Sequence, residues 1–201
     1  MKVVVGIPLP PTYHADARTI AMAEIWSRKT GLENVFIASP SPEEGRDKIV
    51  SIVNSMIPRP THILFLDSDV LPRPRTMKVL YDHDKDIVCG VVPICQQGKM
   101  QWNVSKEEGF VPLEIDSLPD NPFKVKSCGF GAVLVKTAVF DKIEWPYWRS
   151  EYKPGLRTLG EDIYFSKKVR DAGFDIWCDP KVKCNHVTRS NYLNIINNFK
   201  E

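Results

Sequence analysis

The stretch "THILFLDSDVLP" (residues 61–72) decides how the rest of the chain is read. Four apolar residues, Ile63 to Leu66, run straight into Asp67-Ser68-Asp69, and the segment stops at Pro72. An unbroken apolar run of strand length that meets charge at its C-terminal end predicts a central strand of a parallel sheet, buried on both faces. The two aspartates then fall at the carboxyl edge, where open α/β sheets bind ligands. Along an extended backbone alternate side chains point the same way, so both carboxylates can face one ligand. Adjacent carboxylates repel and are most easily kept ionised by a cation such as Mg2+ or Mn2+, which can bridge phosphate oxygens. A solvated turn after a strand is the plainer reading of the same residues.

Outward from this strand, β and α signals alternate. "KVVVGIP" (2–8) is a β-branched run ended by proline, and "NVFIAS" (34–39) and "DIVCGVVP" (86–93) are further strands. Between them, "YHADARTIAMAEIWSRKTG" predicts a helix with Ala17, Ile20, Ala21 and Ile25 among its apolar positions and Gly31 as stop. The next helix is signalled by Ser41 as N-cap, Pro42 at its first position and Glu44 closing a capping box, with Ile49, Ile52, Val53 and Met56 as apolar face. Residues 94–122 lack a sustained period and read as a loop or short hairpin. Residues 123–143 read as a strand pair or bent strand broken at Gly129-Phe130-Gly131. The aromatic segment 144–159 reads as a mobile binding loop, and "GEDIYFSKKVRDAGF" as a helix with acids in its first turn.

The 201 residues, 43% of them hydrophobic, suffice for one domain with a substantial core. A net charge of +2 without a long basic run gives no case for nucleic acid. The N-terminal apolar run reaches proline too early for a secretory segment, and no stretch approaches the ~20 apolar residues of a membrane span, so a soluble cytoplasmic protein is expected. The five cysteines are odd in number and show no CxxC spacing, which fits free thiols in a reducing compartment. Cys178, Cys184 and His186 match no common structural zinc site.

Taken in order, "VVVGIP", "EEGRDKIVSIV", "ILFLDSDV", "DIVCGVVP", "SCGFGAVLVKTAVFDKI", "GEDIYFSKKVRDAGF" and "CNHV" make the sequence resemble the GT-A-fold glycosyltransferases, the DxD-containing, glycosyltransferase family 2-like enzymes. The resemblance implies one α/β GT-A (Rossmann-like) domain over residues 1–201, with a mostly parallel central sheet flanked by helices. About 1–93 would form the nucleotide half and about 94–201 the acceptor and sugar half. It implies a metal-dependent transferase of hexosyl or deoxyhexosyl groups, acting from a nucleoside-diphosphate sugar onto the hydroxyl of a glycan or other acceptor. Carried over by position, Asp67 contacts ribose or metal, Asp69 is a direct metal ligand and His186 completes the metal site. Mn2+, or Mg2+, is the implied ion, imidazole leaning toward manganese. Pro8 and Ser68 fall in the donor site, Arg46 against the diphosphate or base, and Gly129, Phe130 and Gly131 beneath the donor sugar. Arg189 closes over the diphosphate. Asp162, with Glu161 as alternate, is the general base that takes the acceptor proton. Asp47 and Ser39-Pro40 depart from the family pattern, which has asparagine at the first position and an aspartate at the end of the second strand.

The residues also carry plainer readings. Arg46 and His186 suit a solvated surface, Glu161 and Asp162 compensate a helix dipole, and Gly129 and Gly131 suit a β-bulge. Trp145, Tyr147, Trp148 and Tyr152 either stack on an acceptor sugar or pack a long loop on the core. Two rival functions follow. A haloacid-dehalogenase-type phosphohydrolase also has a strand followed by DxD, but on its first strand, with the first aspartate as nucleophile. A non-catalytic nucleotide-sugar-binding module would need no base.

Overall fold

The computed structural model describes residues 2–187. In chain order its elements are β1 (Val3–Leu9), α1 (Ala17–Thr30), β2 (Val35–Ala38), α2 (Pro42–Ser55), β3 (His62–Leu66), β4 (Val70–Leu71), α3 (Thr76–Asp82) and β5 (Ile87–Val91). There follow β6 (Pro93–Gln96), β7 (Lys99–Trp102), β8 (Val104–Ser105), β9 (Leu113–Glu114), β10 (Phe123–Val125), β11 (Ser127–Cys128) and β12 (Ala132–Lys136). The chain continues through β13 (Glu151–Lys153), β14 (Leu156–Leu159), α4 (Glu161–Asp171), β15 (Ile176–Lys183) and β16 (Asn185–His186).

A seven-stranded sheet in the order β10-β15-β5-β12-β3-β1-β2 forms the centre. It is mostly parallel in sense: β1, β2, β3, β5 and β15 run one way, and β12 and β10 run against them. The strand of the decisive stretch, β3, is buried at every position, as its continuous apolar run requires. Its side chains alternate between two cores. Ile63 and Phe65 join Ile49, Val50 and Val53 of α2 and Phe165 and Val169 of α4. Leu64 and Leu66 join Ala23 and Trp26 of α1 and Met77 and Leu80 of α3. Helices therefore cover both faces, a three-layer α/β arrangement.

Local signals held where the backbone decides. Ser41 caps α2, its hydroxyl accepting from Glu44 N at 3.3 Å, with Pro42 in the first turn. Gly31 ends α1 at φ 70°, the left-handed value that glycine adopts without strain. Other expectations change. The buried face of α1 is Thr19, Ala23 and Trp26, whereas Ile25 is largely exposed. Thr19 and Trp26 can be buried because their polar atoms reach carbonyls, Oγ1 to Val70 O at 2.8 Å and Nε1 to Pro74 O at 3.1 Å. Ile52, expected on the inner face of α2, is also exposed. Within 94–122 lie a three-stranded sheet, β6-β7-β9, and β8, which pairs with β11. Its hairpin turns at Gln97-Gly98, both at positive φ. Segment 144–159 is only partly a loop: β13 and β14 form a hairpin, and Trp148 belongs to the core.

Candidate functional site

The site is built at the carboxyl edge of β1 and β3. Asp67, Ser68 and Asp69 leave β3, and Val70 N bonds back to Asp67 O at 3.1 Å, turning the chain into β4. β16 pairs with β4 in antiparallel register, His186 opposite Val70. Val187 N donates to Asp69 O at 2.7 Å, so a residue far along the chain is fixed beside the DxD turn. Pro8, Arg46, Asp67, Ser68, Asp69 and Asp162 are among the residues lining one cleft of ≈410 Å³. A second cleft, ≈360 Å³, is lined by residues including Gly129, Gly160, Glu161 and Asp162. The two acids opening α4 thus border both.

Arg46 lies at the centre. Gly45 eases its approach: a Cβ on Gly45 would stand 2.7 Å from Ser39 Oγ and 3.0 Å from Pro8 Cβ, so glycine lets the first turn of α2 settle closely onto β1 and the residue after β2. The Arg46 side chain is 3% exposed. Its Nη2 donates to Asp67 Oδ1 at 2.9 Å, and its Nη1 to Asp162 Oδ1 at 2.9 Å and Glu161 Oε1 at 3.4 Å. Its guanidinium also stands over the Phe130 ring, 5.1 Å from the centroid. A buried cation must be neutralised, and three carboxylates do so. Burial lowers the Arg46 pKa, but the attractions of Asp162, Asp67 and Glu161 outweigh it and leave it above the ordinary value. Arg46, expected to face the nucleotide diphosphate or base, lines the ≈410 Å³ cleft, with its guanidinium engaged by these acids.

Asp162 makes two further hydrogen bonds, one to the Gly129-Phe130-Gly131 segment and one within α4. Its Oδ2 accepts from Phe130 N at 3.3 Å, and its carbonyl accepts from Ser166 Oγ at 2.7 Å. Burial pushes its pKa up to about 7; Arg46 opposes that rise, while Glu161 and Asp67 add to it.

The metal triad expected from Asp67, Asp69 and His186 is not assembled. Among the described residues no group of three His, Cys, Asp or Glu side chains gathers at ligating distance. Asp67 is drawn toward Arg46, leaving Asp69 and His186 as a pair with Oδ2 and Nε2 3.3 Å apart. The pair itself suits a cation. His186 Nδ1 lies 3.1 Å from Pro93 O. A carbonyl only accepts, so Nδ1 carries hydrogen and Nε2 is left turned to a carboxylate. Two such atoms need a positive charge between them. In its absence a proton serves: the Asp69 hydrogen bond is the main cause that raises the His186 pKa, against burial.

The glycine segment is corrected in part. Phe130 is 1% exposed and packs edge-on against Phe65 and Phe165, so its ring meets the site only beneath the Arg46 guanidinium, while its backbone N–H reaches Asp162. Gly131 is required by packing, since a Cβ would come within 2.9 Å of Val92 Cγ2. Gly129 lines the smaller cleft, and Asn103 positions it, with Nδ2 donating to Gly129 O at 3.2 Å and Oδ1 accepting from Val92 N at 2.8 Å. Trp148, expected to stack on a sugar, is 2% exposed and stacked on Phe165 at 4.7 Å and 8°; it is a core residue. Arg189 lies outside the described residues. Sequence reasoning passed over Gly45 and Asn103. A glycine in the first turn of a helix, where it weakens the helix, was the signal available for Gly45.

No protein-family model matches the sequence, and no curated protein matches it. Solved structures do. A197 from STIV superposes with a TM-score of 0.66 at 18% identity, covering 94% of this chain and 86% of that one. GalNAc-T7, a GT-A-fold glycosyltransferase crystallised with UDP, GalNAc and Mn2+, superposes with a TM-score of 0.55 at 12% identity. The match covers 94% of this chain and 44% of GalNAc-T7, so the chain spans less than half the length of that enzyme. At these identities the likeness concerns the fold, which is GT-A-like. Among the described residues no helix is long and apolar enough to cross a membrane.

Proposed function

We propose that the protein is a metal-dependent glycosyltransferase that moves a sugar from a nucleoside-diphosphate donor to an acceptor hydroxyl. The observation that carries this reading is the position of Asp162 and Glu161 between two clefts, one edged by Asp67 and Asp69, the other by Gly129 and Gly160. A transferase needs two substrates meeting at one base, and a binding module does not. The GT-A-like fold supports the same reading.

The donor occupies the larger cleft with its diphosphate beside Asp69 and His186, and the acceptor enters by the smaller. Asp69 and His186 would hold Mn2+ or Mg2+, which supplies Lewis-acid neutralisation of the departing diphosphate. The acceptor oxygen attacks the anomeric carbon, the bond from that carbon to the diphosphate oxygen breaks, and the acceptor proton passes to Asp162. Attack from the face opposite the leaving group inverts the anomeric configuration. Arg46 keeps Asp162 aimed and, through Asp67, fixes the base relative to the donor turn. A phosphohydrolase with Asp67 as nucleophile is disfavoured, because the Arg46 hydrogen bond engages that carboxylate and its strand is the third in the chain.

Calorimetric titration with nucleoside diphosphates in the presence and absence of Mn2+ tests the donor half. Binding is expected to tighten about tenfold or more with Mn2+ and to lose that gain in Asp69→Ala. Equal affinity with Mn2+ and with chelator would remove the metal from the reading.

A further inference from the structure

Beside the site, α2 presents a second face. Glu43, Asp47 and Ser51 lie at successive four-residue steps along the helix, with Asn54 one turn on, and they line a cleft of ≈560 Å³ closed by Trp145 and Tyr147. The segment carrying the two aromatics is clamped from both sides. Tyr147 N donates to Asp47 Oδ1 at 3.2 Å, the Trp145 side chain also bonds to the Asp47 carboxylate, and Lys168 Nζ reaches Pro146 O at 2.9 Å from α4. Tyr147 also packs edge-on against Phe140, centroids 5.0 Å apart. Trp145 nonetheless stays 72% exposed. An aromatic surface of that size left open to water, yet held in place at its polar edge, is already organised to receive a flat apolar partner.

The groups facing it select which partner. Ser51 and Asn54 supply neutral donors and acceptors, and Glu43 is an acceptor. Asp47 is hydrogen-bonded to the aromatic segment and Lys48 in the same lining is paired with Glu44, so the charge turned to the cleft is the Glu43 carboxylate, an acceptor for hydroxyl groups. A pyranose, apolar on its C–H face and rimmed by hydroxyls, matches this mixture.

We infer that the cleft between α2 and Trp145 is a carbohydrate subsite in which a neutral sugar ring stacks on Trp145 and its hydroxyls bond to Ser51, Asn54 and Glu43. It lies outside the catalytic clefts and would hold a part of a glycan remote from the attacking hydroxyl. That last role rests on the glycosyltransferase reading, whereas the binding does not.

Saturation-transfer NMR on the whole protein tests it, using methyl glycosides and disaccharides of glucose, galactose, mannose and N-acetylglucosamine, with tetramethylammonium as a cationic control. At least one sugar is expected to bind wild type and Asp69→Ala alike, to weaken about tenfold in Trp145→Ala, and to stay within about threefold of wild type in Trp145→Phe, which keeps a stacking ring. Because Asp69→Ala removes the donor site, loss of transferase activity and loss of this subsite are read separately. Absence of any Trp145-dependent sugar signal would overturn the inference, as would Trp145-dependent binding of tetramethylammonium alone.

Discussion

Arg46 Nη1 lies 2.9 Å from Asp162 Oδ1, joining α2 to the first turn of α4. The same guanidinium reaches Asp67 at 2.9 Å, so one buried cation ties the Asp67-Ser68-Asp69 turn to Asp162. Its removal leaves three carboxylates facing one another without a counter-charge.

Arg46→Met is therefore expected to destabilise the fold by roughly 3 kcal/mol, toward the low end for broken buried pairs because the carboxylates keep some solvent contact. Arg46→Lys recovers only part of this, since an ammonium cannot bridge two elements as a planar fork does. Urea unfolding measures both; a loss below about 1 kcal/mol for Arg46→Met would show that the clamp is not structural.

Donor turnover is expected to rise with pH through about 7 and level off above it. Burial holds the Asp162 proton to that pH, and only the ionised carboxylate can accept one. Asp162→Asn should lower kcat by about 100-fold or more while leaving nucleoside diphosphate affinity nearly unchanged. A rate that is flat between pH 5.5 and 8.5 on the order of measurement error would assign the proton elsewhere.

Metal binding at Asp69 and His186 should release a proton. The Asp69 hydrogen bond raises the His186 pKa, so an ion held there as proposed competes with a proton. Mn2+ affinity is expected to weaken as pH falls, and His186→Ala to weaken it at every pH. Calorimetry in two buffers of different ionisation enthalpy counts the proton directly; no buffer dependence would mean that the ion binds elsewhere.

Much of this was legible in the sequence, and the reasons it stopped being so are physical. β3 and the capped start of α2 are written locally, as a continuous apolar run and as Ser41-Pro42 with Glu44. The face of α1 was read at Ile20, which packs against the core, but not at Thr19 and Trp26, which look polar or bulky until their partners at Val70 and Pro74 are known. The ion pairs of Arg46 were not read locally, because the acids that neutralise it lie 21 and 116 positions away. Trp148 likewise acquires its stacking partner, Phe165, only through tertiary packing.

His62 provides a pH test of the core. Burial, with Lys136 adding to it, pushes its pKa down to about 4, and it packs edge-on against Tyr81. The folded state then binds fewer protons than the unfolded one between about pH 4 and 6.5. Stability should fall as pH drops through that window, by on the order of 2–3 kcal/mol. His62→Phe should flatten this part of the stability profile; an unchanged slope would show that other groups carry the acid sensitivity.

The most direct measurement is turnover of a panel of nucleotide sugars with Mn2+, with Mg2+ and with chelator, scoring release of nucleoside diphosphate. Metal-dependent release from at least one donor, abolished in Asp69→Ala and in Asp162→Asn, is the result expected of a glycosyltransferase. Release from no donor, together with hydrolysis of a generic phosphate ester that Asp67→Ala abolishes, would contradict it and make the protein a phosphohydrolase.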